Sequence, residues 1–304
     1  MKIAIGGASG MIGKQLVAHL QTRGFHIYQL VRPGRSHTGF DKVSTIVWDP
    51  ANGDLDKEHL EGLDAVIHLG GETITGTWTE TKKKRILDSR VKSTTLLATT
   101  MAKLKRKPTV FACASAIGYY DQTDYNRPLD ESAPQGGGFL AEVGAAWEAA
   151  TQPAADAGIR VVNMRIGIVL DTQGGALKEM LTPFKMGVGG VVGSGKQMMS
   201  WITTEDVVRA ITFCTSNPNL SGPVNLVAPD AATNKRFTKT LGKVLGRPTF
   251  IPVPGLAVSL LFGEMGRTLI LSGAHVVPRK LEEAGFNFKT AGLEAGLKHA
   301  LSKA

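Results

Sequence analysis

The chain has 304 residues, enough to bury a sizeable core as one large α/β domain or as one domain with a smaller lobe, and the second arrangement is the expectation. With 42% hydrophobic and 20% charged residues and no low-complexity tract, it is neither a disordered nor a fibrous chain. Lys and Arg outnumber Asp and Glu by 35 to 26, a formal charge of +9 that suits a polyanionic ligand and would also suit nucleic acid, so charge alone does not choose between them.

The chain opens on a strand pattern, Met1-Lys-Ile-Ala-Ile, with no charged and apolar leader before it. Its next elements alternate. Apolar runs at Lys2–Ile5, His26–Val31, Thr45–Trp48, Ala65–Leu69, Thr109–Ala114 and Arg160–Ile168 are separated by helical patterns that include Met11–Arg23, Lys82–Leu104 and Leu140–Ala157. Gly24 and Gly158 stop two of those helices. This is the order of a Rossmann-type doubly wound parallel sheet with helices on both faces, an α/β fold occupying residues 1–170 with later segments returning to it.

From about Leu170 the alternation loosens into a mixed region, 171–304, where Gly187–Lys196 reads as a mobile glycine-rich loop. A strand at Pro223–Val227, a helix at Lys235–Leu245 and a helical pattern at Leu256–Leu271 are expected to form a small α+β lobe over the carboxyl ends of the strands. The longest apolar stretch, Ile251–Phe262, is interrupted by Pro252, Pro254 and Gly255 and is too short to cross a bilayer. A cytoplasmic protein with no membrane partner is expected.

Cys113 and Cys214 each sit in an apolar run and read as core residues, and the seven histidines show no ligand spacing, so no metal is expected. The basic runs Lys82-Lys83-Lys84-Arg85 and Lys103–Lys107 lack interleaved aromatics and read as solvated helix faces, with a phosphate contact from Arg85 as the alternative. Nucleic acid is therefore not the expected partner.

The most informative segment is Gly7-Ala-Ser-Gly10-Met11-Ile12-Gly13, which follows the first strand and opens the first helix. Gly7 permits a tight turn, Gly10 lets the backbone approach a pyrophosphate, and Gly13 allows the helix to pack closely on the strand. The amide groups at Met11 and Ile12 stand at the positive end of the helix dipole. An NAD site places an acid about 20 residues further on, whereas this second strand ends Leu30-Val31-Arg32-Pro33 with no acid before Asp41. Arg32, assisted by Arg35, is suited to a 2'-phosphate, which makes NADP(H) the expected cofactor.

With that glycine spacing in hand, the chain resembles the extended short-chain dehydrogenases, in particular an atypical epimerase-like branch sometimes named after the division inhibitor SulA. The resemblance runs nearly end to end. It rests on His-Leu-Gly-Gly-Glu at 68–72, Ser89-Arg90, Ser-Ala-Ile-Gly-Tyr-Tyr at 115–120, Pro183-Phe-Lys-Met-Gly-Val-Gly-Gly190 and Gly193-Ser-Gly-Lys-Gln197, and continues in Ser200-Trp-Ile202, Glu205-Asp206 and Val277-Pro-Arg-Lys-Leu-Glu-Glu-Ala-Gly-Phe286. It implies that Leu69, Gly70, Gly71 and Glu72 line the cofactor, that Arg90 faces it, and that Ile168 lies where relatives offer backbone groups to the nicotinamide amide.

The resemblance also implies a catalytic place for Ser115, after the fifth strand; a serine that merely finishes the strand is the alternative. The Tyr-x-x-x-Lys pair of such enzymes is missing, because the helix reads Phe139-Leu-Ala-Glu-Val-Gly-Ala-Ala-Trp147-Glu148. Tyr119, Tyr120, Glu142, Lys196 and Gln197 are the available substitutes, and Asp206 reads as a helix cap. Two functions are expected to compete: an NADP(H)-dependent oxidoreductase or epimerase acting on an unidentified small molecule, and a non-catalytic NADPH-binding regulator with a link to cell division.

Overall fold

The computed structural model describes residues 1–34 and 43–302; Arg35, the expected helper of Arg32, lies outside them. In chain order the first half comprises β1 (Lys2–Gly6), α1 (Met11–Thr22), β2 (His26–Val31), β3 (Val43–Asp49), β4 (Asp54–Leu55), β5 (Ala65–His68), α2 (Glu80–Ala102), β6 (Val110–Ala116), α3 (Phe139–Ala149), α4 (Gln152–Asp156) and β7 (Arg160–Ile166). The second half comprises β8 (Ile168–Leu170), α5 (Gly175–Lys185), β9 (Met198–Met199), β10 (Trp201–Thr203), α6 (Thr204–Ser216), β11 (Gly222–Leu226), β12 (Ala232–Thr233), α7 (Asn234–Leu245), α8 (Gly255–Leu269), α9 (Arg279–Glu283) and α10 (Leu293–Leu301).

Eight strands form one sheet in the order β11-β7-β6-β5-β1-β2-β3-β4, parallel except for the short edge strand β4. The order reverses between β1 and β5. That reversal opens a crevice at the carboxyl ends of these two strands, where doubly wound sheets bind their ligands. Both faces are covered, so the central strands are apolar on both sides; Ala65, Val66, Ile67 and His68 of β5 are all buried. On one face Ile3, Ile5 and Ile67 meet Leu16 and Leu20 of α1, and on the other Ala4 and Val66 meet Leu97 and Met101 of α2. Each fully buried aliphatic side chain contributes about 1.5–3 kcal/mol to this packing.

Three expected elements take a different course. The run Arg160–Ile168 breaks at Gly167, because the backbone there passes so close to Ser200 and Val227 that a Cβ would lie 2.6 Å from the Ser200 carbonyl; β8 then pairs with β10 outside the large sheet. The helix expected at Leu140–Ala157 is two helices. Pro153 stands in the first turn of the second, where its missing N–H is tolerated, whereas inside a continuous helix it would interrupt the ladder. The strand assigned to the small lobe is β11, which returns to the large sheet beside β7.

The glycine-rich segment expected to be mobile is packed: Val192 bridges to Val253, and Gly190 lies so close to the Ile251 carbonyl that no side chain fits between them. Around it the lobe has its own core of Trp201, Phe237, Leu241, Leu293 and Leu297. Gly296 lets α10 lie directly on the Trp201 ring. Asp206 does not cap α6; Thr203 does, its hydroxyl accepting from the Asp206 N–H. The fully buried Asp206 carboxylate instead accepts from the backbone of Lys289 and Thr290 and pairs with Arg209, tying the C-terminal segment to the sheet domain.

Candidate active site

The turn between β1 and α1 has the form its glycines predict. Gly7 has φ +80°, and a Cβ on it would lie 2.7 Å from the backbone nitrogen of Gly70. A Cβ on Gly13 would run into the Gly7 carbonyl, and the Gly10 N–H closes the turn on that same carbonyl at 3.0 Å. The N-cap of α1, Gly10, provides no side-chain acceptor and the first turn contains no acid. The dipole end at Met11 and Ile12 is therefore left for an external anion. Here the residues fit a dinucleotide: loops 7–13 and 69–71 touch backbone to backbone, leaving a shallow cradle that side chains would fill.

Val31 ends β2 beside this cradle, and Arg32 extends past it into solvent. Across the crevice, Glu72 receives Lys82 Nζ at 2.8 Å and lies 3.7 Å from Arg85 Nη2. The hydrogen bond from Lys82, followed by the charges of Lys82, Arg85 and Arg32, holds the Glu72 carboxyl below the usual carboxylate range. Arg32 and Arg85, far apart in sequence, thus act on one point at the crevice rim.

Arg90, expected to face the cofactor, is engaged with the loop at 71–72 and with its own helix. Its Nη1 donates to the carbonyls of Glu72 and Ile86, both at 3.0 Å, and its guanidinium lies 4.9 Å from the Trp147 ring and against Gly71. Burial lowers its pKa to about 10. Beneath the same loop lies His68, whose importance was not evident in the sequence. It is buried under Gly6 and Gly70, where a Cβ would come within 2.5 Å and 2.8 Å of its ring; Nε2 meets Ser93 Oγ at 2.8 Å, and Nδ1 has no hydrogen-bond partner among the described residues. Burial, with the nearby charge of Arg90, depresses its pKa to about 4. A neutral imidazole is the floor of the cradle.

Ser115 lies near the carboxyl end of β6 and donates to Glu148 Oε1 at 2.7 Å. Arg165 clamps that carboxylate with Nε at 2.7 Å and Nη2 at 2.8 Å, and its Nη1 donates to Tyr120 Oη, which donates in turn to Asn225 Oδ1. The Arg165 guanidinium stacks 3.6 Å from the Tyr119 ring. Burial alone would lower the Arg165 pKa, but the hydrogen bonds and charge of Glu148 outweigh it and the pKa is raised. Neither Glu148 nor Arg165 is among the site residues that the sequence suggests. The available signal was an arginine within the apolar run Val-Val-Asn-Met-Arg-Ile, since a buried guanidinium needs a carboxylate partner.

Of the substitutes, the two tyrosines belong to the Arg165 network and the others do not join it. Burial raises the Tyr120 pKa to about 12, Glu142 points to solvent, Lys196 is exposed, and Gln197 donates to the carbonyls of Val192 and Ile270. Leu140 and Gly144, four residues apart on α3, face the loop after β6: a Cβ on Gly118 would meet Leu140 at 3.2 Å, and one on Gly144 would meet Tyr119 at 3.3 Å. A lysine cannot be seated at Gly144 without moving Tyr119. The Ile168 N–H donates to the Ser200 carbonyl at 2.9 Å.

The sequence profile of the NAD dependent epimerase/dehydratase family matches residues 3–226, and that of a domain of unknown function, DUF1731, matches residues 253–300. An epimerase family protein of Mycobacterium tuberculosis is 38% identical over 302 residues, covering 99% of this chain and 98% of its own. The crystal structure of human epimerase family protein SDR39U1 with NADPH superposes with a TM-score of 0.89 at 33% identity, covering 100% of both chains. A nucleoside-diphosphate sugar epimerase from Corynebacterium glutamicum gives a TM-score of 0.81 at 31% identity, covering 100% of this chain and 58% of its own.

Proposed function

Because the chain belongs to the NAD dependent epimerase/dehydratase family, we propose that it is an NADP(H)-dependent oxidoreductase or epimerase acting on a small carbonyl or hydroxyl compound, of which a sugar nucleotide is one candidate. The cradle of Gly7, Gly10, Met11, Ile12 and Gly13 would hold the pyrophosphate, and Arg32 with Arg85 would hold the 2'-phosphate. Val31, Leu69, Gly70, Gly71 and Ile168 would line the remaining length, with Glu72 and Arg90 bracing the rim. The likeness to human SDR39U1, solved with NADPH, supports this choice of dinucleotide.

The observation that carries the chemistry is the bond from Ser115 to Glu148. When bound, the dinucleotide supplies or takes up a hydride. The proton that accompanies it needs a path, and a serine already donating to an ionised carboxylate still has lone pairs free to accept from a substrate hydroxyl. Its own proton then moves to Glu148, and in the reverse direction Glu148 returns it. Arg165 orients the carboxylate throughout, and the pairing takes the place of the absent Tyr-Lys route.

A second reading, a non-catalytic NADPH-binding regulator, draws support from the absence of any tyrosine or lysine from α3. Turnover separates the two. Purified protein with NADPH is assayed against a panel of carbonyl compounds, including oxidised sugar nucleotides, and with NADP⁺ against alcohols. Cofactor consumption with any substrate supports the enzyme; tight NADPH binding without consumption across the panel supports the regulator.

A further inference from the structure

We propose that the C-terminal lobe carries a docking surface for an anionic lipid membrane, formed by the uncharged segment Phe250–Phe262 and the adjoining end of α5. The segment Phe-Ile-Pro-Val-Pro-Gly-Leu-Ala-Val-Ser-Leu-Leu-Phe contains no charged residue. Apart from the buried Val258, its large side chains are mostly not folded inward: Phe250 is 89% exposed, Leu260 and Leu261 are each 77% exposed, and Leu256 is 72% exposed.

Beside it, Met186 at the end of α5 is also 72% exposed. The two stretches run side by side, since Gly190 packs on Ile251 and Val192 bridges to Val253. Met186, Phe250, Ile251, Leu256, Leu260 and Leu261 are each more than half exposed, an unusual concentration of large apolar side chains for two neighbouring stretches of a protein surface.

The shape of α8 explains why these leucines are not buried. At Gly263 the helix breaks, with φ +56° and ψ −136°, a conformation open to glycine and to few other residues. The part after the break turns inward: Met265 and Leu269 pack with Trp78 and Phe139, and Glu264 pairs with Lys83 at 2.7 Å. The part before it is left as a short apolar helix on the surface, anchored by the buried Val258.

Charge at the rim identifies the occupant. Lys185 precedes Met186, Arg247 precedes Phe250 by three residues, and Arg267 follows the break; all three are exposed. The adjoining α7 adds the exposed Lys235 and Lys239, while its Arg236 and Lys243 are paired with Asp230 and Glu294. Pairing of two copies about a twofold axis would bring these basic rims against each other. An anionic lipid surface complements them, adding electrostatic attraction to the burial of the leucines and Phe250. Among the described residues no helix is long and apolar enough to cross a membrane, so the attachment is peripheral. The proposal departs from the expectation of no membrane partner, which rested on the lack of a spanning segment.

The test is co-sedimentation of the full chain with vesicles of phosphatidylcholine, with and without phosphatidylglycerol, at low and high salt. The wild type is expected to bind the anionic vesicles, with affinity falling as salt rises. The double variant Leu260→Ser/Leu261→Ser, altered only at exposed positions, should bind at least about tenfold more weakly, and Lys185→Glu/Arg247→Glu should lose the preference for phosphatidylglycerol. Thermal melts and NADPH titration check that both variants keep the fold. Wild-type binding to neither vesicle, or equally to both, overturns the proposal. So does a dimer in sedimentation velocity that the double serine variant dissolves, which would assign the patch to a second copy.

Discussion

Ser115 and Glu148 are joined by a 2.7 Å hydrogen bond between the end of β6 and the last turn of α3, with Arg165 of β7 closing the carboxylate from its far side. Ser115→Ala removes one neutral donor and should lower stability by only about 1 kcal/mol. Turnover of a substrate found in the panel should fall about 10²–10⁴-fold. Arg165→Leu acts mainly on stability, because it strands a largely buried carboxylate and should destabilise the protein by about 3–5 kcal/mol. Steady-state kinetics and urea unfolding of both variants check this, and wild-type turnover in the serine variant would remove Ser115 from the chemistry.

Under the proposed cofactor assignment, Arg32, exposed just after β2, reads the 2'-phosphate. Arg32→Asp should weaken NADPH binding about tenfold to hundredfold, the loss of a charge-assisted hydrogen bond, while NADH binding holds or improves. Fluorescence titration of both cofactors gives the ratio. Equal wild-type affinity for NADPH and NADH would sink the assignment.

Gly13 and Gly24 separate close approach from conformational freedom. At Gly13 a methyl group meets the Gly7 carbonyl, so Gly13→Ala should displace the cradle and abolish measurable cofactor binding, with a stability loss of about 1–3 kcal/mol. Gly24 has φ +75°, and among the described residues nothing stands within 4 Å of where a Cβ would project, so Gly24→Ala should cost about 1–2 kcal/mol and leave binding intact. Calorimetric titration and thermal melts distinguish them; normal binding by Gly13→Ala would show that the packing is not needed.

His68 ties stability to pH. Its folded pKa is about 4 and its unfolded value about 6.5, so between these values the unfolded chain binds a proton that the folded chain does not. Its contribution is complete above pH 6.5 and is lost as pH falls toward 4, up to about 3 kcal/mol. Urea unfolding across that range should show a steeper decline for the wild type than for His68→Gln. Equal slopes would mean that the imidazole is not held neutral.

The glycine turn was legible because its requirements are local. A positive φ at Gly7 and a helix starting directly after Gly10 need only neighbours along the chain, and the strand-helix alternation supplied the sheet around them. Arg165 and Glu148 were not legible, since their meeting depends on β7 lying beside β6 and on α3 packing against β6. The position of β11 failed for the same reason: a short, mostly apolar run reads alike in a lobe or at the edge of a sheet.

What the sequence by itself determined is the cradle, the basic residue beside it and the lack of a Tyr-Lys pair, all set by residue type and spacing within single elements. Only the tertiary structure decided that Ser115 donates to Glu148, that His68 is the cradle's neutral floor, and that the apolar segment Phe250–Phe262 stays on the surface. Each of those follows from long-range packing, which sets burial, and burial determines which polar groups must find partners and which apolar ones are left without any.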